Sequence, residues 1–142
     1  MIDLHTHTTF SDGELIPSEL VRRAEALGYK AIGITDHADY TNIEHLLSCV
    51  SKAHYLDEVL DMRIVVGVEL THVPPSKIGP LAALARSLGA EIVVVHGETP
   101  VEPVRPGTNR AALEADVDIL AHPGFITLEE AELARENDIC LE

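Results

Sequence analysis

The sequence predicts an α/β domain built on a parallel sheet. Short runs rich in Val, Ile and Leu recur along the chain, and segments with helical spacing of apolar residues separate them. Several of the apolar runs are nearly continuous, which is typical of parallel strands covered on both faces. This alternation of strands and helices favours a parallel sheet, either open or closed into a barrel.

Six strands and five helices are predicted in order. The strands lie at residues 2–4, 31–35, 63–68, 91–95, 117–121 and 139–141, and the helices at residues 17–27, 43–60, 78–88, 108–115 and 128–136. The first helix begins at Pro17 and ends before Gly28, residue types that favour a helix start and stop. The helix at 43–60 carries an apolar stripe, the next ends at Gly89, and the last two follow turns that contain threonine.

The longest irregular segment, residues 97–107, contains Pro100, Pro103 and Pro106. A loop of this kind within a small α/β domain is more often functional than not.

Length and composition predict a single domain over residues 1–142. The 24 acidic residues outweigh the 10 Lys and Arg, giving a formal net charge of −14. This balance argues against an extended nucleic-acid surface and against binding to an anionic membrane. No apolar run approaches the roughly 20 residues of a membrane span, and no signal peptide is recognisable. Cys49 and Cys140 fit reduced thiols, so we expect a cytoplasmic protein.

Side chains that suit a metal ion follow the carboxyl end of every complete predicted strand: His5, His7 and Asp12, then His37, Glu69, His96 and His122. In parallel α/β proteins this end is where ligands bind. Residues two apart on a strand point to the same side, so both imidazoles of the His-x-His pair can reach one cation. Imidazole and carboxylate together suit Zn, Mn or Fe. Seven ligands are too many for one tetrahedral ion, and we expect two or three divalent metal ions.

Four further residues are candidates for supporting roles. Asp36 is predicted to orient His37 or another ligand by a hydrogen bond, without binding the metal itself. His72 lies in a loop three residues after Glu69 and is a candidate substrate contact. Arg105 and Arg110 flank a predicted helix start, where free N–H groups favour anions. We expect one of the two arginines to contact a substrate phosphate, although pairing with surface carboxylates is an equally good interpretation.

The motifs together resemble the polymerase-and-histidinol-phosphatase (PHP) family of metal-dependent phosphoesterases. The match comprises His5-Thr6-His7, Ser11-Asp12-Gly13, Thr35-Asp36-His37, Gly67-Val68-Glu69, His96 and Ala121-His122-Pro123-Gly124, in the family's order over nearly the whole chain. The resemblance implies a distorted (β/α)7 TIM-like barrel with a trinuclear metal centre. It implies three ligand sets: His5 and His7 with Glu69, Asp12 with His37, and His96 with His122, Glu69 bridging the first and third.

The family pattern also includes an Asp-x-His motif after the last strand, and no such motif follows His122 in this sequence. About five β/α units and a sixth strand do not close a seven-stranded barrel. We therefore expect the barrel to be incomplete in this chain, and a further C-terminal segment or a partner subunit to complete it.

The implied activity is hydrolysis of a small phosphate ester, as a phosphomonoesterase or phosphodiesterase of the histidinol-phosphatase type. The nucleophile would be a metal-activated hydroxide and not a side chain, because coordination lowers the pKa of water to about 7. Two alternatives stay open. An amidohydrolase-type metallohydrolase also begins with His-x-His, but typically has a carbamylated Lys in the role that Glu69 takes here. A catalytically inactive PHP-like metal-binding or regulatory module is compatible with the missing Asp-x-His.

Overall fold

Strands and helices alternate along the chain in the computed structural model, which describes all 142 residues. The seven strands are β1 (Ile2–Thr6), β2 (Ala31–Ile34), β3 (His37–Ala38), β4 (Arg63–Leu70), β5 (Ile92–His96), β6 (Ile119–Ala121) and β7 (Cys140–Leu141). The five α-helices are α1 (Pro17–Ala26), α2 (Ile43–Val50), α3 (Pro75–Ser87), α4 (Thr108–Leu113) and α5 (Leu128–Glu136). A 3-10 helix at Ser51–Leu56 continues α2.

Every strand pair is parallel, and the strand order is β1-β2-β4-β5-β6-β7. The short strand β3 continues the path of β2 along β4, placing His37 opposite Glu69. The sheet curls into a half-barrel, with β1 and β7 as its edges. The predicted α/β class with a parallel sheet is confirmed, and all strands end on the same side.

Both faces of the sheet are apolar, which explains the continuous apolar runs. Val93 and Val95 of β5 join a core cluster of 29 buried residues that also includes the inward faces of the helices. Ile92 and Val94 point to the opposite face, where they pack with Ile119 and Ala121 of β6. Burying each such Val or Ile side chain contributes roughly 1.5–3 kcal/mol to the free energy of unfolding.

Two helices differ from their predicted bounds by three residues or more. The helix expected at 43–60 is α-helical only to Val50, and the 3-10 helix follows it. The buried residues Val50 and Ala53 and the partly buried Leu56 are spaced by three, which matches three residues per turn of a 3-10 helix. The helix expected at 78–88 starts earlier, at Pro75, because proline fits the first position of a helix.

One glycine allows two central strands to approach closely. A Cβ atom at Gly67 in β4 would collide with the backbone of Ile92 in β5. Any larger residue there would push β5, and with it His96, out of position. None of the helices is both long and apolar enough to cross a membrane.

Candidate metal centre

Histidines from successive strands meet around one carboxylate at the carboxyl edge of the sheet. The carboxylate is Glu69, near the end of β4, and its side chain has no solvent exposure. Its two oxygens lie within 3.4 Å of five imidazoles: Oε2 is 2.8 Å from His37 Nδ1, 3.3 Å from His5 Nε2 and 3.4 Å from His7 Nε2, and Oε1 is 3.2 Å from His96 Nδ1 and 3.3 Å from His122 Nε2. A single buried anion at the end of β4 therefore connects the ends of four other strands, β1, β3, β5 and β6.

The seventh predicted ligand, Asp12, lies at the outer side of this group. Its Oδ1 atom is 3.6 Å from Nδ1 of His7, and its Oδ2 atom is 3.6 Å from Nε2 of His37. Gly13 makes this turn possible, because a Cβ atom there would collide with the backbone carbonyl of His7. The structure thus brings all seven residues that the sequence singled out to one place.

The proton affinities of these groups reflect their mutual contacts. Burial alone would raise the pKa of Glu69, but the imidazoles of His37 and His5 hold it well below its usual range. Burial alone would lower the pKa of His5, but the carboxylates of Glu69 and Glu142 outweigh it and raise the pKa to about 9. The contact with Glu69 likewise raises the pKa of His37. In the metal-free protein at neutral pH, a proton on His5 supplies positive charge beside Glu69.

His7 and His96 behave in the opposite way. Burial lowers the pKa of both rings, and a neighbouring imidazole lowers each further. A neutral imidazole is the form that binds a metal ion, so both rings are in the ligating state at neutral pH.

The donor atoms fall into groups that fit divalent metals. One group is His5, Glu69 and His122, a second is His7, Asp12 and His37, and a third is His37, Glu69 and His96; within each, the ligand atoms lie within 4.8 Å of one another. Glu69 Oε2 and His96 Nε2 are buried and make no hydrogen bond, despite their charged neighbours. Buried polar atoms nearly always have a hydrogen-bond partner. The lack of one at these two atoms is the expected state of metal ligands without their ion. The residues present fit a metal cluster.

Asp36 shapes the segment that carries His7. The buried Asp36 carboxylate accepts hydrogen bonds from the backbone N–H of Thr8 (2.7 Å), the Thr8 hydroxyl (2.8 Å) and the Ser11 hydroxyl (2.6 Å). Ser11 Oγ in turn lies 3.4 Å from His7 Nδ1. Asp36 therefore acts on His7 and the Asp12 turn, whereas the adjacent His37 is held by other groups.

Sequence reasoning missed the residues that orient His37 and His5. Thr71 Oγ1 donates to the backbone carbonyl of Glu69 and lies 2.6 Å from Nδ1 of His37. Glu142 Oε2 lies 2.7 Å from Nδ1 of His5. Glu142 directly follows β7, so the rule that polar residues follow strand ends, applied to the last strand as well, would have found it.

The two arginines differ in their surroundings. Arg110 donates hydrogen bonds to the exposed carboxylates of Glu114 (2.9 Å) and Glu129 (2.7 Å). This agrees with the alternative that the arginine pairs with surface carboxylates. Arg105 forms no salt bridge. The N–H groups at the start of α4 are also partly used, because Glu98 Oε1 accepts from Gly107 and Asn109. The expected anion site at this helix start is thus occupied by the protein's own carboxylate.

The two remaining helical histidines have local roles. His45 is exposed on α2 beside Cys49. His54 contacts Asp57 and Glu91 at the opposite end of the strands, away from Glu69.

Comparison with known proteins agrees with this geometry. The model of the PHP domain family matches residues 3–125. A protein of Methanocaldococcus jannaschii whose function is uncharacterized is 57% identical over 99% of this chain and 66% of its own length. Ribonuclease P protein component 3 of Methanosarcina barkeri is 31% identical over 92% of this chain and 51% of its own length. The DNA polymerase/3'-5' exonuclease PolX of Bacillus subtilis is 28% identical over 99% of this chain and 28% of its own length. The chain thus spans less than two thirds of each of these relatives.

Proposed function

The chain belongs to the PHP domain family, and from that premise we propose that it is a metal-dependent phosphoesterase acting on a small phosphorylated substrate. The observation that carries the proposal is the buried Glu69 carboxylate within 3.4 Å of five imidazoles. A purely structural role does not account for five imidazoles, because the two oxygens of a carboxylate offer about four lone-pair sites to hydrogen-bond donors.

Divalent Zn, Mn or Fe ions bound here would supply a water of lowered pKa and positive charge against the phosphoryl oxygens. His5, Glu69 and His122 would hold one ion, and His7, Asp12 and His37 a second, with His96 completing a third set around Glu69.

The protein's own contribution is to fix the ligands before any ion arrives. Glu142 and Thr71 set the orientation of the His5 and His37 rings through hydrogen bonds of 2.7 and 2.6 Å. Asp36 fixes the turn between His7 and Asp12. Replacing a carboxylate or hydroxyl that hydrogen-bonds to a metal ligand typically lowers metal affinity or activity by about 10- to 100-fold. The strand ends and these supports make a preorganised site.

A metal-binding or regulatory module without turnover is the second candidate function. The similarity to ribonuclease P protein component 3 supports it, because that relative is named as a component of a larger enzyme. An amidohydrolase-type centre has less support, since its typical bridging lysine is absent from the cluster, where Glu69 occupies the middle.

The test is hydrolysis by protein loaded with Zn²⁺ or Mn²⁺. The substrates are an aryl phosphomonoester, an aryl phosphodiester, histidinol phosphate and a short oligonucleotide, which separate the substrate classes. We expect at least one to be hydrolysed, and His7→Ala to reduce the rate by more than about 100-fold. His45→Ala, on the exposed surface of α2, is the matched control and should keep the wild-type rate. Full metal loading without turnover of any substrate would favour the module instead.

A further inference from the structure

One asparagine side chain joins the two loops that follow β5 and β6. Asn109, in the first turn of α4, is only 3% exposed. Its Nδ2 atom donates to the backbone carbonyl of Pro123 at 2.8 Å, and its Oδ1 atom accepts from the backbone N–H of Glu98 at 2.9 Å. A carbonyl oxygen can only accept and a backbone N–H can only donate, so these two partners fix which way the amide faces.

The bond to Pro123 acts next to a strained residue of the candidate metal centre. His122 has a φ of 34°, in the left-handed region that is costly for a residue with a Cβ atom. It also precedes a proline, which normally restricts a residue to extended backbone. The N–H of His122 donates to the carbonyl of Glu142 at 2.7 Å, and the Asn109 bond holds the turn from the other side. Since Pro123 has no N–H group, its carbonyl is the atom through which this side is held.

The backbone conformation matters because little else orients the ring of His122. Its Nε2 atom lies 3.3 Å from Oε1 of Glu69, yet the side chain is 41% exposed, so packing restrains it only in part. The rings of His5 and His37 are each oriented by a second side chain. His122 makes no comparable hydrogen bond, so the direction of its ring depends on its backbone.

Closure of the loop at residues 97–107 does not explain the donor end of the Asn109 amide. Oε1 of Glu98 accepts from the backbone N–H groups of Gly107 (2.9 Å) and Asn109 (3.0 Å), which draws the two ends of this loop together. Nδ2 of Asn109 instead reaches out of this loop to the next one, where Pro123 lies. This bond therefore acts on the turn at His122.

We propose that Asn109 is a positioning residue of the metal centre. Its Nδ2–H group holds the carbonyl of Pro123, and this bond keeps the ring of His122 in the direction that metal binding requires. Asn109 does not bind the ion itself and acts through the residue that follows the ligand. The inference rests on the proposed function only in that metal must bind at the cluster around Glu69, and it requires no turnover.

The test is the dissociation constant of the metal in Asn109→Ala and Asn109→Asp, measured by competition with a chelating dye. Aspartate keeps the size of asparagine and the acceptor for Glu98, but an ionised carboxylate cannot donate to Pro123. Both variants should raise the dissociation constant of the ion that His122 binds by about 10- to 100-fold, as for other groups that orient a metal ligand.

Asn137→Ala is the matched control. Nδ2 of Asn137 donates to the backbone carbonyl of Leu113 at 2.7 Å, so this variant loses the same kind of hydrogen bond. The bond lies at the C-terminal ends of α4 and α5, whereas the cluster lies at the carboxyl ends of the strands. Asn137→Ala should keep the wild-type constant.

A double-mutant cycle with His122→Asn separates positioning from general destabilisation. Asparagine tolerates the positive φ of His122 but supplies no imidazole, so this variant identifies the ion that depends on His122. Because Asn109 acts through His122, adding Asn109→Ala to His122→Asn should change the constant of this ion by less than about twofold.

Circular dichroism and urea denaturation show whether each variant is folded. Wild-type constants in both folded Asn109 variants, or the same fold-change with and without His122, would overturn the proposal. Loss of the fold in both Asn109 variants would show a structural role and overturn it as well. Metal binding without hydrolysis of any ester would contradict the proposed function alone, whereas a wild-type chain that binds no metal would contradict both.

Discussion

Nδ1 of His5 lies 2.7 Å from Oε2 of Glu142, so the first and last strands of the half-barrel meet at the candidate metal centre. The two residues are far apart in the sequence, and their strands lie at opposite edges of the sheet. The contact leaves Nε2 of His5 facing Glu69, where a metal ligand is needed.

Replacing Glu142 by glutamine should therefore weaken metal binding. Glutamine keeps the size of the side chain but loses the charge that fixes the His5 ring, so we expect the dissociation constant for the metal to rise by about 10- to 100-fold. Competition with a chelating dye measures this constant. Glu132→Gln, at an exposed glutamate on α5, serves as the control, and an unchanged constant in Glu142→Gln would mean that Glu142 does not position His5.

Metal binding at neutral pH should release protons. The pKa of His5 is raised to about 9 in the metal-free protein, so this ring is protonated at pH 7. A metal ligand must be neutral, so binding at pH 7 should release about one proton from His5, and the apparent affinity should rise as the pH increases toward 9. Isothermal titration calorimetry in two buffers of different ionisation enthalpy counts the protons. Release of none at pH 7 would contradict this account of His5.

Asp36 should contribute to stability as well as to the site. Its buried carboxylate accepts three hydrogen bonds from Thr8 and Ser11. In Asp36→Asn an amide group would face these donors, and the free energy of unfolding should fall by about 2–3 kcal/mol. Urea denaturation measures the change. Asp61→Asn, at an exposed pair with Lys30, should leave the stability nearly unchanged; an equal effect of both variants would show that Asp36 has no special role.

The two arginines should differ in their effect on substrate binding. Arg105 has no carboxylate partner, whereas Arg110 is held by Glu114 and Glu129. In an active enzyme, Arg105→Ala should raise KM for the phosphate ester about 10-fold, roughly the value of one charge-assisted hydrogen bond. Arg110→Ala should leave KM within about twofold. Steady-state kinetics measure both KM values. A larger increase in KM for Arg110→Ala than for Arg105→Ala would place the phosphate beside Arg110 instead.

The fold and the clustering of the candidate ligands could be predicted from the sequence because both depend on local patterns. Continuous Val and Ile runs mark buried parallel strands, and parallel strands bring their carboxyl ends together, so His5, Glu69 and His96 were expected to meet. The division of the helix after residue 43 was missed because apolar spacing alone does not separate a long helix from an α-helix followed by a 3-10 turn.

Glu102 and Thr71 could not be predicted in the same way. Oε2 of Glu102 lies 3.0 Å from Nε2 of His72 and 3.2 Å from Nε2 of His96. Glu102 belongs to an irregular loop, where no repeating pattern indicates the direction of a side chain. Thr71 contacts His37 only because β3 pairs with β4 in a particular register. Such contacts depend on tertiary geometry, and a single sequence does not contain that information directly.

The central claim is that Glu69 organises a cluster of metal ions, and the most direct test is the number of ions bound per chain in the wild type and in Glu69→Gln. Elemental analysis after removal of free metal should find two or more ions per wild-type chain. Glu69→Gln should lose most of them, because glutamine offers neither the charge nor the second oxygen ligand that the surrounding imidazoles require. Circular dichroism would confirm that the variant is folded. A wild-type chain without tightly bound metal, or an equal metal content in folded Glu69→Gln, would contradict the account.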